Sequence, residues 1–259
     1  MTPVRVAAEF QPISWLPIVL SFGVRIGADA MAQTEPRFTA LIFSKTTGFR
    51  HDSIPQGIAA IEALGKAHAF AVDSTEDAAR FTDAGLARFK VVVFLCTTGD
   101  ILDAGQQAAL ERHIRAGGGF VGIHSASDTE YQWAWYGRLV GAYFASYPQI
   151  QRATVRIEDR GHASTEGLPA TWQRTDEWYN FRSNPRGNVH VLATLDEATY
   201  SGGTMGADHP IAWCQEMDGG RSWYTAMGHT SESYAEPLFL LHVLGGIESA
   251  AGVVGGSPH

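Results

Sequence analysis

The fold is predicted from one stretch, Gly117-Gly118-Gly119-Phe120-Val121-Gly122-Ile123-His124-Ser125-Ala126-Ser127. Phe120 to Ile123 is a short apolar run, which is typical of a strand buried on both faces. Glycines precede this run and small residues follow it, so the chain can turn sharply there. The pattern Gly122-x-His124-x-Ala126 has the form of a nucleophile elbow, a strained turn from strand to helix at the carboxyl edge of a sheet. His124 stands where such a turn normally carries Ser or Cys.

The chain before this stretch alternates predicted strands and helices. Three further strands are predicted from apolar runs at residues 38–43, 68–73 and 90–95. Ser53 with Pro55, and later Asp103, are typical of helix starts between these strands. This rhythm predicts an α/β fold with a doubly wound, mostly parallel sheet of the flavodoxin-like kind.

The chain after this stretch has shorter, alternating segments from Thr154 onward. Asp218-Gly219-Gly220 predicts a hairpin turn, so antiparallel additions to the sheet are expected in the C-terminal half. A further strand is predicted at residues 178–181 and a closing helix over residues 233–244. We find no interdomain linker and expect a single α/β domain over residues 38–247.

The two ends of the chain are expected to lie outside this domain. Residues 1–32 resemble an export signal, because Arg5 precedes an apolar stretch from Ile13 to Val24 and Ala30-Met31-Ala32 fits a cleavage site. We therefore expect an exported protein, periplasmic or extracellular. A misassigned start before a cytoplasmic protein is the alternative. The Gly- and Ser-rich residues 250–259 are expected to form a flexible tail.

Composition excludes some classes of partner. The 259 residues carry a formal net charge of −8 and no run of Lys or Arg, which argues against nucleic-acid binding. The N-terminal apolar stretch is too short for a secure membrane span. Cys96 and Cys214 lie in separate predicted strands without CxxC spacing, so both are interpreted as core thiols.

Three histidines are predicted to lie at the carboxyl edge of the sheet. His51 follows the first strand, His124 the elbow strand, and His229 the strand that ends near Ala226. Ligands of open α/β sheets bind at this edge, so we expect the three side chains to share one cleft. His209 precedes a strand and is predicted at the opposite edge. Five histidines are interpreted as structural or solvent-facing: His68, His113, His190, His242 and His259.

An acidic residue, Glu177, is expected to join these histidines. It stands in Asp176-Glu177-Trp178-Tyr179, where desolvation beside aromatic rings would raise its pKa and suit it to general acid work. A solvated carboxylate at a strand end is the alternative. The seven Trp and eight Tyr suit either a core or a site that stacks rings on sugars. Glu232 is interpreted as a helix-capping partner.

Five ordered motifs then point to a known family. They are Thr47 to Ile54, Gly117 to Ala126, Asp176 to Tyr179, His209 to Trp213 and Gly228 to Tyr234. Together they resemble the ThuA family, named for trehalose utilisation, over residues 38–246. The resemblance implies a fold similar to the class I glutamine amidotransferase domain and a role in carbohydrate catabolism. It implies trehalose or related, possibly oxidised, disaccharides as the substrate class.

The elbow residue separates this chain from amidotransferases. His124 replaces the thiol nucleophile, so glutamine hydrolysis through a thioester is not expected. We expect instead an acid–base enzyme acting on a disaccharide or keto sugar derivative. His124 and His229 would act as base and acid, and Glu177 would orient or protonate the reacting groups. Residues predicted to contact the substrate are His51, Ser125, Trp178 and Tyr179.

Three alternatives remain open from the sequence. In the first, His51, His124, His229 and Glu177 bind zinc or another divalent ion, although no histidine pair has i, i+4 spacing. In the second, the chain is a carbohydrate-binding module that has lost its nucleophile. In the third, Ser125 or Ser127 acts as a nucleophile. The exact substrate, the bond broken and the oligomeric state are not determined by these patterns.

Overall fold

Eleven strands are present in the part of the chain that the computed structural model describes, residues 1–2 and 35–254. They are β1 (Thr39–Phe43), β2 (Ala71–Thr75), β3 (Val91–Leu95), β4 (Gly119–Ile123), β5 (Phe144–Ser146), β6 (Gln151–Ile157), β7 (Thr171–Asp176), β8 (Asn180–Phe181), β9 (His190–Asp196), β10 (Pro210–Met217) and β11 (Gly220–Thr225). Nine of them form one mixed sheet, and β5 pairs with β8 apart from it. The chain therefore has the α/β architecture predicted from its sequence.

The sheet divides into a parallel and an antiparallel part. Its order is β2-β1-β3-β4-β11-β10-β9-β6-β7, and every pairing from β2 to β11 is parallel. The order of the first four strands is that of flavodoxin-like sheets, and β11 lies in the fifth place. The remaining pairings are antiparallel, starting with the β10–β11 hairpin at Asp218-Gly219. Strands β3 and β4 are completely buried, as central parallel strands normally are.

Five α-helices cover the sheet in the described residues: α1 (Ile54–His68), α2 (Asp83–Leu86), α3 (Ala104–Arg115), α4 (Ala134–Val140) and α5 (Pro237–Ala251). Helix α3 starts as predicted, because Asp103 and Gln106 form a complete capping box. Helix α5 packs on β4 and β11. None of the helices described is long and apolar enough to cross a membrane.

Some predicted boundaries were wrong. The closing helix was predicted over residues 233–244, but Ser231–Ala235 forms a separate 3-10 turn and Pro237 then begins α5. Proline suits the first turn of a helix because that position needs no N–H bond. Helix α5 continues to Ala251, so residues 250 and 251 are buried helix and not tail.

One predicted strand is shorter than expected, another starts later than expected, and the two chain ends could not be compared. The strand predicted at 178–181 is reduced to β8, and β7 comes before it. Residue His68 ends α1 and does not open a strand. The predicted export signal, apart from residues 1–2, and the tail residues 255–259 lie outside the described residues.

Candidate active site

Four loops at one edge of the sheet carry the residues of the candidate site. His51, His124 and His229 follow β1, β4 and β11, whose carboxyl ends meet at this edge. Glu177 follows β7. This strand runs in the same direction as β11, because an even number of antiparallel pairings separates them. The sheet thus delivers all four side chains to one place.

The turn at His124 has the geometry of an elbow. Its φ is 53°, in the left-handed region that non-glycine residues avoid at a cost of about 1–2 kcal/mol. A 3-10 turn, His124–Asp128, follows it directly. Gly122 makes room for the bend, since a Cβ there would lie 2.9 Å from the Tyr224 ring. The predicted elbow is confirmed, with an imidazole as the side chain it presents.

The three histidine rings converge as predicted. The ring centroids of His51 and His124 are 4.7 Å apart, those of His51 and His229 are 5.0 Å apart, and those of His124 and His229 are 5.1 Å apart. Glu177 Oε2 lies 3.1 Å from His229 Nδ1 and 3.4 Å from His124 Nε2. We refer to these four residues as the His₃Glu cluster.

The tautomer of His124 follows from its hydrogen bond. His124 Nδ1 lies 2.8 Å from the carbonyl oxygen of Ala226, which can only accept, so Nδ1 carries the proton. In the neutral ring Nε2 then has a free lone pair. It points to the cluster, 3.1 Å from His229 Nδ1. The ring is therefore oriented from behind by the backbone that follows β11.

A buried ion pair below the cluster was missed by the sequence analysis. The Asp176 carboxylate accepts hydrogen bonds from the backbone N–H groups of Gly228, at 2.8 Å, and His229, at 3.1 Å. Arg174 Nη1 lies 3.0 Å from the same carboxylate, and both side chains are buried. Residues two apart on a strand share a face, so assigning β7 from the sequence would have paired Arg174 with Asp176.

Charges within the cluster shift its pKa values. Burial opposes ionisation of Glu177, but hydrogen bonds and charges of His124 and His229 outweigh it and lower its pKa to about 2. Desolvation thus acts in the predicted direction, but the predicted rise of the pKa was wrong because the two histidines outweigh it. Burial, with the charges of the other two histidines, lowers the pKa of His51 to about 2. Burial also acts to lower the pKa of His229, but Glu177 outweighs it and the net shift is upward.

Access to the cluster is restricted. His124 is completely buried and His51 is 4% exposed, whereas the His229 side chain is 20% exposed. His229 is thus the cluster residue that solvent reaches most readily. Two exposed aromatic residues lie at the margin of the cluster. Phe49 is 66% exposed, with its ring 4.8 Å from that of His51, and Tyr147 is 59% exposed, with its ring 6.4 Å from that of Tyr179.

The fold brings some of the residues predicted to contact substrate to the site and buries another in the core. The Tyr179 ring lies 4.2 Å from that of His124 and 6.4 Å from that of exposed Tyr147, so it lines the site. Ser125 Oγ is 3.4 Å from His51 Nδ1 and is buried. Trp178 is completely buried, and its Nε1 donates to the carbonyl of Gln151, which leaves no indole surface for a sugar.

His209 was predicted at the wrong edge. Because β10 is antiparallel to β11, its first residues lie where β11 ends, at the edge of the site. His209 is buried between the Tyr179 carbonyl and the Glu197 carboxylate, each 2.8 Å from a ring nitrogen. It therefore supports the backbone of Tyr179, whose ring packs against that of His124.

The remaining histidines described lie away from the cluster. His190 pairs with Asp159 at 2.8 Å, and His113 and His242 belong to α3 and α5. His162, which the sequence analysis passed over, is bonded to Ser164 and Ser249. Open grooves of about 420 and 450 Å³ are lined by no residue of the cluster.

Comparison with known proteins identifies the family. The model of a family described as ThuA, trehalose utilisation, matches residues 39–250. The chain belongs to the ThuA family. That membership associates it with carbohydrate metabolism. No curated protein sequence matches the chain.

Solved structures agree with this assignment. A ThuA-like protein from Bacteroides uniformis is 25% identical, with a TM-score of 0.71 over 82% of this chain and 91% of that one. A ThuA-like protein from Parabacteroides merdae is 19% identical, also with a TM-score of 0.71, over 86% and 93% of the two chains. A β-galactosidase from Bacillus circulans sp. alkalophilus shares only the fold, at 15% identity and a TM-score of 0.56, over 83% of this chain and 31% of that one.

The ThuA-family chain has no reactive thiol at its elbow. Cys96 and Cys214 are both buried and free. Burial raises the pKa of Cys96 to about 12, and its Sγ lies against the Gly228 carbonyl and the Tyr234 hydroxyl. A thiolate nucleophile is thereby disfavoured. The chemistry available at the edge of the sheet is that of imidazole and carboxylate, which transfer protons or bind a cation.

Proposed function

We propose that this protein is an enzyme of carbohydrate catabolism that acts on a disaccharide or an oxidised (keto) sugar derivative, such as a trehalose-related compound. The proposal is carried by one observation, the convergence of the His₃Glu cluster at the ligand-binding edge of the sheet. Family membership supports the substrate class. The aromatic rings of Phe49 and Tyr147 support it further, because exposed apolar surface beside a group of polar side chains is typical of ligand-binding sites.

The roles of the residues follow from their exposure. His229 is the cluster residue best placed to touch a substrate, since its side chain is partly exposed and held by Glu177. His124 lies behind it and acts through its contacts with His229 and Glu177. Breaking a glycosidic bond, or removing a proton beside a ketone, needs a group that moves protons and a group that stabilises charge. The His₃Glu cluster contains both kinds of group.

A carbohydrate-binding module without catalysis is less well supported. Its basis in the sequence was the missing nucleophile together with the high content of tryptophan and tyrosine. Most of the tryptophans described are core residues, namely Trp135, Trp172, Trp178, Trp213 and Trp223. Packing of the core thus explains their number. A buried, charged cluster is also unnecessary for stacking a sugar on a ring.

The test is a substrate panel with matched histidine variants. Trehalose, other disaccharides and their keto derivatives are incubated with the wild type, His124→Asn and His113→Asn, with product detection by mass spectrometry. Asparagine tolerates the left-handed backbone at position 124, so that variant should fold. We expect turnover to fall by ~10²- to 10⁴-fold, as for loss of a proton-transferring group, because His124 is the cluster residue whose free Nε2 can exchange a proton with His229 and Glu177.

The control variant lies outside the cluster. His113 is on α3, and its Nε2 has no hydrogen-bond partner, so His113→Asn should keep near-native turnover. A folded His124→Asn protein with near-native turnover would contradict the proposed site. Sugar binding that is unchanged in His124→Asn, without product from any compound, would instead favour the binding module.

A further inference from the structure

We propose that the His₃Glu cluster binds a divalent transition-metal ion. The inference rests on the same site as the proposed function, but it can be tested without a substrate. Each of the four residues offers one ligand atom, and these atoms all lie within 4.8 Å of one another.

The spacing of the ligand atoms suits a metal. Tetrahedral zinc with bonds of about 2.0–2.1 Å holds its ligand atoms about 3.3 Å apart. In the cluster, His124 Nε2 lies 3.1 Å from His229 Nδ1, and Glu177 Oε2 lies 3.1 Å and 3.4 Å from these two nitrogens. The widest separation, 4.8 Å, exceeds the tetrahedral value, so one ligand moves inward when the ion binds.

The hydrogen bonds of His124 leave a lone pair that faces the Glu177 carboxylate. When the His124 ring is neutral, its one proton lies on Nδ1 and is donated to the Ala226 carbonyl, so its Nε2 and the Glu177 carboxylate face each other as two acceptors at 3.4 Å. The single proton on His229 Nδ1 cannot serve both of them fully. Two buried acceptors in contact are unfavourable unless a proton or a metal ion lies between them.

A divalent ion could use all four side chains of the cluster at once, because each offers one ligand atom and these atoms lie close together. It would accept lone pairs from the three imidazoles, and the Glu177 carboxylate would neutralise part of its charge. The backbone carbonyl of Ala226 then acts as the outer partner that fixes the ligating tautomer of His124, as in many metal sites.

The ligand set indicates the class of ion. Three imidazoles with one carboxylate suit zinc, copper, iron or nickel, and are unlike the all-oxygen sites of calcium and magnesium. The partly exposed side of His229 leaves an approach on which a substrate oxygen could meet the ion. The ion would polarise a sugar carbonyl or hydroxyl there.

The test measures metal directly. The protein is purified without a histidine tag, its metal content is measured by elemental analysis, and it is stripped with a chelator. Zn²⁺ and Co²⁺ are then titrated by calorimetry and by the visible absorption of Co²⁺. We expect about one ion per chain in the wild type, because the cluster offers one set of four ligand atoms.

Ligand variants and a matched surface pair make the test specific. Losing an outer partner of a metal ligand usually lowers affinity 10- to 100-fold, so Glu177→Gln and His229→Asn, which each lose a ligand, should lower it by more than about 100-fold. His190→Asn removes a histidine that is also paired with a carboxylate, Asp159, and should bind like the wild type. Circular dichroism confirms that each variant is folded. If Glu177→Gln or His229→Asn does not fold, the metal affinity of His51→Gln is measured in its place.

The outcomes separate the two proposals. A stripped wild type that binds neither ion, or ligand variants that bind as well as the wild type, would overturn the metal site. A metal-free protein that binds neither ion and still turns over a sugar in full would overturn the metal site while leaving the proposed function intact. One ion bound per chain through the cluster, without turnover of any sugar, would support the metal site and count against the proposed function.

Discussion

Asp176 lies below the cluster and organises the backbone that carries His229. Its carboxylate binds the N–H groups of Gly228 and His229 and pairs with buried Arg174. A buried ion pair adds little stability relative to apolar residues, but removing one partner leaves an uncompensated charge. Asp176 is therefore a positioning residue, since it acts on the cluster through the backbone.

The Asp176→Asn variant should lose both stability and turnover. Breaking a buried pair typically costs about 3–5 kcal/mol, and we expect about 3 because Arg174 keeps its contact with Glu236. Urea denaturation measures the loss, and the fraction folded must be accounted for when turnover is compared. Exposed Glu232, in the 3-10 turn that follows the same loop, is the control: Glu232→Gln should stay within about 0.5 kcal/mol. An Asp176→Asn protein as stable as the control would refute this role.

At the scale of the element, α5 lies unusually close to its neighbours through two glycines. A Cβ on Gly246 would meet the Trp223 ring at 2.4 Å, and one on Gly245 would meet the Ala163 carbonyl oxygen at 2.3 Å. Glycine normally weakens a helix by about 1 kcal/mol relative to alanine. In α5 this lower helix propensity is accepted because the missing side chains let the helix pack closely against Trp223 of the sheet and Ala163 of the neighbouring loop.

The usual effect of replacing a helical glycine with alanine should therefore reverse in α5. We expect Gly245→Ala to destabilise the protein by about 1–3 kcal/mol, because the backbone carbonyl of Ala163 cannot rotate away as a side chain could. Gly105→Ala in α3 is the matched change, since its Cβ would meet only the Asp103 side chain, at 3.3 Å. That variant should be unchanged or up to about 1 kcal/mol more stable. Chemical denaturation measures the free energy of unfolding of both variants. Equal changes in the two variants would contradict the close packing of α5.

At the scale of the whole molecule, the sheet joins two kinds of pairing in one site. The parallel strands β1 and β4, with β11 beside β4, supply the three histidines. The antiparallel strands then lead to β7 and return a carboxylate to the same edge. The cluster thus forms only when both parts of the sheet are complete.

The chain as a whole is also predicted to be processed. Ala30-Met31-Ala32 follows an apolar stretch, so a signal peptidase should cleave near Gln33 in the native host. Intact-mass measurement of the native protein from a periplasmic or extracellular fraction should give a chain that begins near this residue. A protein with Met1 in place in the cytosol would contradict export.

The sequence by itself determined the parallel half of the fold and three residues of the cluster. Continuous apolar runs mark strands that are buried on both faces, and the residue after such a strand lies at the carboxyl edge wherever the strands pair in parallel. His51 and His124 could be placed on that basis alone. His229 was placed because it also follows a predicted strand, and the structure shows that this strand, β11, pairs in parallel with β4. The order of their strands was not needed, because every parallel strand ends at the same edge.

Only the tertiary structure decided the direction of the antiparallel strands and the state of the charges. Periodicity identifies a strand but not its partner, so β7 was missed, His209 was placed at the wrong edge, and Arg174 went unpaired with Asp176. The pKa of Glu177 falls where local desolvation predicted a rise, because His124 and His229 approach it from distant parts of the chain. An electrostatic state depends on every neighbour within a few ångströms, and those neighbours are brought together by the fold.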